Sequence, residues 1–328
     1  MAITAAEIAR MCGVSRTTVD RALKNKVGIS PDTRQRICEM AARFGYQPNY
    51  LASSLSSGRT RSVGVIVFDL RNPHFACLVN AMQQALAEEG VLAYICVSGK
   101  DRRRELELIE DLRSRCVDGL ALTPISFGAD FEARLRGLSI PVLTLSNRLN
   151  GLPFVGGDNE QAAYAGMERF YARGFRTVHF VCPPIRFRGM ENLSAQEERL
   201  AGCERFRREH PDMRGEMIFS EDYVERVVGL LQGVQEKTGV FCSSDSFTLC
   251  LRRRFLELGW NLETCCALMG FDGLDFLEQL TPRPASVYYP AEEIGRRAAL
   301  LLLDLIQGKT AEREILLPCP LLSGSQGV

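Results

Sequence analysis

A two-lobed α/β clamshell with parallel sheets, preceded by a small all-α unit, is the fold class this 328-residue sequence predicts. Three observations lead there. From Ser62 onward, short β-rich runs alternate with helical stretches, the signature of a parallel sheet flanked by helices. The alternation begins again after about Gly157, so the body consists of two similar halves. Ahead of it, three short amphipathic stretches lie within residues 1–48, and a polar segment follows over 49–61. The length suits this division, because domains usually run about 100 to 200 residues.

The first helix starts at Thr4-Ala5-Ala6-Glu7, a capping box: the Thr4 hydroxyl accepts from the Glu7 amide, and the Glu7 carboxylate reaches back to Thr4. It should turn Ile8 and Met11 inward and stop at Cys12-Gly13, where glycine can take the positive φ of a tight turn. Ser15 caps a second helix, with Val19, Ala22 and Leu23 on one face and Arg16, Thr17 and Arg21 outside. Ser30-Pro31 opens a third, since proline at the first helical position loses no hydrogen bond. Ile37, Met40, Ala41 and Phe44 form its inner stripe, and Gly45 ends it. Three short helices with a glycine turn between the first two make a helix-turn-helix, whose second helix can enter a DNA major groove.

Charge agrees. The chain holds 40 basic and 40 acidic residues, yet through Arg61 there are ten basic residues against four acids, a surplus of six that the rest balances. A basic head on an acidic body points to a polyanionic partner.

Residues 48–62 are rich in small polar side chains and too poor in apolar ones to fold unaided, so they read as a linker. Strands are expected at 63–68, 92–97, 119–122 and 142–145, with helices between them such as 77–89 and 104–115. In the second half, strands are expected near 178–181, 217–219, 240–242 and 267–270. A further strand near Val287 precedes a long helix over 291–307. Open α/β sheets bind ligands beyond the carboxyl ends of their strands, so a small molecule is expected in the cleft between the halves. Trp260 sits at a helix-to-strand turn and should pack outside that cleft, while Tyr164, Phe170 and Tyr171 recur at helical spacing as core.

Composition excludes several classes. The longest apolar stretch, 298–306, is interrupted by Asp304 and falls short of the roughly 18 to 20 residues of a membrane span. The start has no basic residues followed by an apolar run, as a secretory signal requires, so a cytoplasmic chain without membrane contact is expected. Twelve cysteines are scattered with no C-x-x-C spacing, and His74, His179 and His210 adjoin no cysteine or carboxylate cluster. Buried thiols are expected, with no metal and no cofactor. No phosphate-cradling glycine loop, nucleophile elbow or paired-carboxylate arrangement occurs, so no catalytic residue and no enzyme is expected.

The run Glu7-Ile8-Ala9-Arg10-Met11-Cys12-Gly13-Val14-Ser15-Arg16-Thr17-Thr18-Val19-Asp20-Arg21-Ala22-Leu23, with Ile29-Ser30-Pro31-Asp32-Thr33-Arg34 and Phe44-Gly45-Tyr46-Gln47-Pro48-Asn49, resembles the head of the LacI/GalR family of transcription regulators. The resemblance continues almost to the C-terminus and implies a periplasmic-binding-protein-like body. It implies that Arg16, Thr17 and Arg21 read base edges and that Ser15, Thr18 and Asn25 hold phosphates. Asp20 stands where the family usually has serine, and a carboxylate there repels phosphate. In the linker, the resemblance implies a hinge helix formed on DNA, with Leu55 wedged into the minor groove, against the alternative that Leu55 packs on the body. Ser53 replaces a common arginine.

For the body, 62–328, the resemblance implies a first lobe of 62–157 plus 290–328 and a second lobe of 158–289. It places Asn72, His74, Phe75, Asn147, Arg148, Arg199, Tyr223, Ser244, Asp272 and Tyr289 around an effector. Phe75 could stack on a sugar face, the arginines are fork donors, and Asp272 could accept from hydroxyls. His74, Ser244 and Tyr289 depart from the usual phenylalanine, asparagine and glutamine, so the ligand need not be a common hexose. Structural roles stay open beside these: Asp272 as a helix cap, Asp245 satisfying backbone amides, Arg148 bridging the halves.

The implied function is a dimeric, effector-controlled DNA-binding regulator, with repression as the expected sense, acting on a pseudo-palindromic operator with a carbohydrate-like effector. The alternative is a solute-binding protein of a transporter, which shares the body but requires export and has no use for a basic head.

Overall fold

A computed structural model of the chain describes residues 3–23, 25–46, 58–310 and 312–325. Leu55 and positions 49–57 of the expected linker lie outside the described residues. The chain divides into two compact units, Met1–Thr60 and Arg61–Val328.

The first unit holds α1 (Ala5–Met11), α2 (Arg16–Leu23) and α3 (Pro31–Arg43). Both expected serine caps form, Ser15 receiving the Thr18 amide at 3.1 Å and Ser30 the Thr33 amide at 3.3 Å, and the Thr4–Glu7 box closes in both directions. Ile8, Val19 and Ile37 are fully buried at the centre of a core completed by Ala9, Cys12, Ala22 and Ala41. Two expected core residues are corrected. Met11 and Phe44 are both exposed. The seven-residue α1 presents the 8–12 pair inward, which leaves position 11 at the edge. Gly45, at φ +59°, ends α3 in the left-handed region, and the Tyr46 amide returns to the Ala41 carbonyl. That turn swings Tyr46 onto the core and leaves Phe44 outside, under the Arg43 guanidinium.

The second unit contains two six-stranded sheets. Sheet one has the order β11-β5-β4-β3-β1-β2, from β1 (Ser62–Val67), β2 (Leu92–Val97), β3 (Gly119–Leu122), β4 (Val142–Leu145), β5 (Phe154–Gly157) and β11 (Glu314–Leu317), all parallel. Its helices are α4 (Pro73–Glu88), α5 (Arg102–Ser114), α6 (Ala129–Arg136) and α11 (Ala291–Ile306). Sheet two has the order β12-β10-β9-β8-β6-β7, from β6 (Thr177–Val181), β7 (Met217–Ile218), β8 (Thr238–Cys242), β9 (Ala267–Asp272), β10 (Ala285–Tyr288) and β12 (Leu321–Leu322). Its helices are α7 (Asn159–Ala172), α8 (Ser194–Glu209), α9 (Tyr223–Leu231) and α10 (Asp245–Glu257). Val63, Val65 and Val67 face one core and Ile66 the opposite one, so β1 is buried along its whole length and largely apolar, as a parallel strand covered on both faces must be.

The C-terminal segment corrects the expectation that all of 290–328 belongs to the first lobe. Helix α11 and β11 do, but β12 pairs antiparallel with β10 in the other sheet. The pairing covers what would otherwise be the open edge of β10. Strand β5 gives little signal in the sequence because it is four residues long and half glycine; a Cβ on Gly156 would meet the Phe154 ring at 2.4 Å, and one on Gly157 the Tyr289 ring at 2.6 Å.

Each lobe has one helix pair pressed together at a glycine. A Cβ on Gly295 of α11 would lie 2.2 Å from the Leu78 carbonyl oxygen of α4, and one on Gly202 of α8 would lie 2.1 Å from the Glu160 carbonyl oxygen of α7. Gly295→Ala must therefore push two backbones apart, and overpacking of this kind costs about 1 to 3 kcal/mol. Gly229→Ala is the contrast, because nothing lies within 4 Å of its added methyl in α9. Helix propensity alone then predicts a gain of up to about 1 kcal/mol. Urea titrations of the two variants should move in opposite directions.

Candidate functional site

In the helical unit, α2 displays Arg16, Thr17, Asp20 and Arg21 on the exposed face opposite Val19 and Ala22. Ser15 and Thr18 are 2.8 Å apart at its N-terminus, where the amides of a first helical turn favour an anion. The loop to α3 is fixed by two arginines. Arg21 donates to the Val27 carbonyl at 2.7 Å, while Arg34 donates to the Lys26 carbonyl at 2.6 Å and to the Asn25 side-chain oxygen. Asn25 has φ +52° and serves the loop through that oxygen. Arg34 belongs to the run that carries the family resemblance, but its role in fixing this loop has no signal in the sequence.

In the second unit, seven of the ten expected effector residues come together. Arg199 of α8, 6% exposed, donates to the Asn159 side-chain oxygen at 2.9 Å and to the Ser243 carbonyl at 2.5 Å. Its guanidinium lies 3.5 Å from the centre of the Phe271 ring and 3.8 Å from an Asp272 oxygen. Asp272 takes a hydrogen bond from the Ser244 hydroxyl at 2.9 Å, and the Asn72 side chain of the first lobe helps hold its carboxyl down, so groups from both lobes act on one carboxylate. Its φ of +116° is unusual for a residue with a side chain, a strain of the kind stored at functional sites. Asn72 also caps α4 by accepting from the His74 amide at 3.0 Å.

The aromatic wall is continuous. His74 meets Phe75 at 4.9 Å and Tyr289 at 4.8 Å between ring centres, each edge to face. The Tyr289 hydroxyl accepts from the Gly157 amide at 2.8 Å. Burial, and then the Arg199 charge, pushes the His74 imidazole down to about 3, so it stands neutral, and its Nδ1 has no partner among the described residues. Burial, and then the neighbouring Asp272, pushes the Asp245 carboxyl up to about 8. Asp245 accepts from the Leu274 amide at 3.0 Å and the Ser286 hydroxyl at 2.7 Å, so its structural role is to satisfy a backbone amide, one of the alternatives its sequence allows. The buried Arg199 cation thus faces Asp272, while the neighbouring Asp245 carboxyl, without a cation of its own in this group, keeps a proton at neutral pH. At the carboxyl ends of β2 and β3, the buried hydroxyls of Ser98, Thr123 and Ser126 also lack partners among the described residues.

Asn147 and Arg148 form a separate junction. The Asn147 amide donates to the Pro124 and Asn192 carbonyls at 3.3 and 3.0 Å, and its oxygen accepts from the Ala195 amide at 3.3 Å. Arg148 donates to Glu198 of α8 at 2.5 Å and to Glu314 of β11. Glu198 in turn accepts from Asn159 at 3.0 Å, and Asn159 holds Arg199. Arg148 therefore bridges the halves, with both of its neighbouring carboxylates engaged. Asn159, Asn192 and Glu198 have no motif to mark them, since they act only once the lobes meet. Tyr223 opens α9 and packs edge-on to Phe247 in the outer core of the second lobe, away from the Arg199 cluster. Trp260 stacks on Phe255 in that same core, outside the cleft as expected. Among the described residues, no group of three or more His, Cys, Asp or Glu side chains could hold a metal, and no helix is long and apolar enough to cross a membrane.

Comparison with known proteins follows this division. Residues 4–49 match the profile of bacterial regulatory proteins of the lacI family, and residues 167–325 match that of the periplasmic binding protein-like domain. Over 323 residues, 96% of each chain, the sequence is 26% identical to catabolite control protein A of Priestia megaterium. It is 28% identical over 320 residues to the transcriptional repressor CytR of Escherichia coli K12, covering 94% of this chain and 91% of that one. Among solved structures, the lac repressor dimer bound to operator and the anti-inducer ONPF superposes with a TM-score of 0.85 at 19% identity over the whole of both chains. The CelR–cellobiose complex gives 0.68 at 25% identity over 99% of each.

Proposed function

We propose, for a chain that belongs to the LacI family of DNA-binding transcriptional regulators, that a small polyhydroxylated ligand held between the lobes controls its grip on an operator. The observation that carries this reading is the Arg199–Asp272 pair, with partners from both lobes and with unpartnered buried hydroxyls at the strand ends. Buried polar groups without partners are costly, so a site built this way favours a ligand that supplies hydroxyls. The aromatic wall of Phe75, His74 and Tyr289 suits the C–H face of a sugar or polyol ring. Tyr289 fills space that a flexible glutamine would leave more open, which favours a compact ligand over a disaccharide such as the one in the CelR complex.

DNA contact falls to Ser15, Arg16, Thr17, Thr18, Arg21 and Asn25, with Leu55 as the minor-groove wedge. The working form is a cytoplasmic homodimer acting as a repressor. Along the edge strand β2, Leu92, Tyr94, Ile95 and Val97 are exposed, and an apolar sheet edge of this kind calls for a cover such as a second copy. A two-fold dimer carries two α2 helices and so reads a pseudo-palindrome. Ligand acts by population shift, favouring one lobe arrangement over the other and thereby one spacing of the heads.

Selection of bound sequences from a random DNA pool, followed by titration in increasing salt, tests the first half of this reading. Enrichment of a two-fold motif is expected, with an affinity that falls steeply with salt because several phosphates are neutralised. Equal affinity for scrambled DNA overturns it. The second half is tested with a panel of sugars and polyols in a thermal-shift assay, where a ligand at 100 times its Kd adds about 2.7 kcal/mol to apparent stability. Asp272→Ala should remove that shift and the response to ligand while leaving ligand-free operator affinity unchanged. Retention of the shift in Asp272→Ala places the ligand elsewhere.

A further inference from the structure

Outside the cleft, Cys265 and Cys266 stand side by side on the turn that leads into β9. The turn is well tied. The amides of Thr264 and Cys265 both donate to the Asn261 carbonyl, at 3.1 and 2.9 Å, and the Glu263 amide donates to the Asn261 side chain at 2.8 Å. Cys266 is buried and Cys265 half-buried, in the apolar cluster that also holds Cys242, Phe255 and Trp260. The two thiols hydrogen-bond to each other. That bond holds the Cys265 thiol below its ordinary range, while donating it and being buried hold Cys266 well above. Cys265 is therefore the more acidic and the more exposed thiol of the pair.

We propose that Cys265 and Cys266 form a chelating site for trivalent, thiophilic arsenicals and chemically similar soft centres. Zinc is a poor match, because a closed tetrahedral site needs four protein ligands and no group of three or more His, Cys, Asp or Glu side chains among the described residues could hold a metal. A trivalent arsenic centre needs only two sulfurs and keeps its remaining substituent pointing outward past half-buried Cys265. The reaction is a condensation: two S–H bonds and the arsenic–oxygen bonds break, two S–As bonds form, and the oxygen leaves as water with both thiol protons. Arsenic remains trivalent, so no oxidant or reductant is consumed. Because both thiols sit on one fixed turn, the second S–As bond closes intramolecularly, and the chelate outlasts any adduct on a single thiol. The other exposed cysteines, Cys38, Cys77, Cys116 and Cys250, have no adjacent cysteine in the chain.

The test uses the reduced full-length protein and phenylarsine oxide, followed by intact-mass measurement and peptide mapping. A gain of one phenylarsenic unit is expected that withstands excess mercaptoethanol but is removed by 1,2-ethanedithiol. The bridged peptide should contain both Cys265 and Cys266. Cys265→Ser, a change at a half-buried position, should lose the monothiol-resistant adduct, and Cys250→Ser should keep it. An adduct stripped by mercaptoethanol, mapped to another cysteine, or undiminished in Cys265→Ser overturns the proposal. The mapping on the unaltered chain decides even if a variant folds poorly, and none of these readouts involves DNA or the cleft ligand.

Discussion

Exchanging Arg199 for methionine is expected to lower the free energy of unfolding by about 3 to 5 kcal/mol at neutral pH, the usual cost of stripping one partner from a buried ion pair. The Arg199 side chain is almost wholly buried and lies between Asp272, the Ser243 carbonyl and Asn159. Methionine fills much of the volume, so what is lost is charge and hydrogen bonding. Surface pairs give the scale for comparison. Arg134 donates to Glu110 at 2.8 Å with both side chains well exposed, and Arg134→Met should cost no more than about 1 kcal/mol.

The loss at Arg199 should also depend on pH. Burial already raises the Asp272 carboxyl and the Arg199 charge opposes that rise, so removing the cation raises it further. A carboxyl whose folded value lies above its unfolded value of about 3.9 binds its proton more tightly in the folded state. Its contribution to stability therefore grows as pH falls and is lost as pH rises through the folded value. Asp245, raised to about 8, acts in the same direction. His74 acts in the opposite one. Its folded value of about 3 lies below the unfolded 6.5, so acidification to pH 5 costs about 2 kcal/mol by the same linkage, largely shared by both proteins. The quantity to follow is thus the difference between variant and parent in urea titrations at pH 7.5 and 5.5. That difference should shrink on acidification, and adding Asp272→Asn to the variant should shrink it at pH 7.5 as well. A constant gap, or one no larger than that of Arg134→Met, would mean that Arg199 does not balance the buried Asp272 carboxyl.

Much of the fold is legible in the sequence itself. The capping box, both serine caps, most of the strands and the long helix before the C-terminus are local signals, because each depends on residues a few positions apart. The family resemblance adds Arg199, Asp272, Ser244, His74 and Tyr289 as one group, and the fold joins them from α4, α8, β9 and the loops after β8 and β10. What the sequence hides depends on distant partners. Asn159 and Glu198 act through Arg148 and Arg199, and Asn192 through the Asn147, Arg148 and Ile125 groups it meets, all of them distant in the chain. Strand β12 has two residues and is defined by the edge it covers. Phe44 and Tyr46 are both aromatic and two apart, and only the left-handed turn at Gly45 decides which one enters the core.

In the helical unit, the largest effect is expected from Arg16→Ala: a loss of about 1 to 3 kcal/mol in discrimination at one operator position, roughly fivefold to more than a hundredfold in affinity ratio. Arg16 is exposed at the start of α2, on the face opposite Val19 and Ala22, where its guanidinium can reach a groove without disturbing the core. Arg21 differs. Its guanidinium already donates to the Val27 carbonyl, and a Cβ on Gly28 would sit 2.9 Å from its terminal nitrogen. To read a base it must leave that carbonyl or share with it, so Arg21→Ala removes loop support together with any base contact. The two variants are separable by what they do to non-specific DNA. Loss of a base-edge bond changes the ratio between the selected site and its point variants and leaves scrambled DNA bound as before. Loss of loop support weakens both, and Arg34→Ala, which frees the Lys26 carbonyl and the Asn25 oxygen, should behave in that second way. If Arg16→Ala lowered affinity equally for all sequences and reduced the salt slope by about one, Arg16 would be a phosphate ligand, and the reading face of α2 would shift toward Thr17 and Arg21.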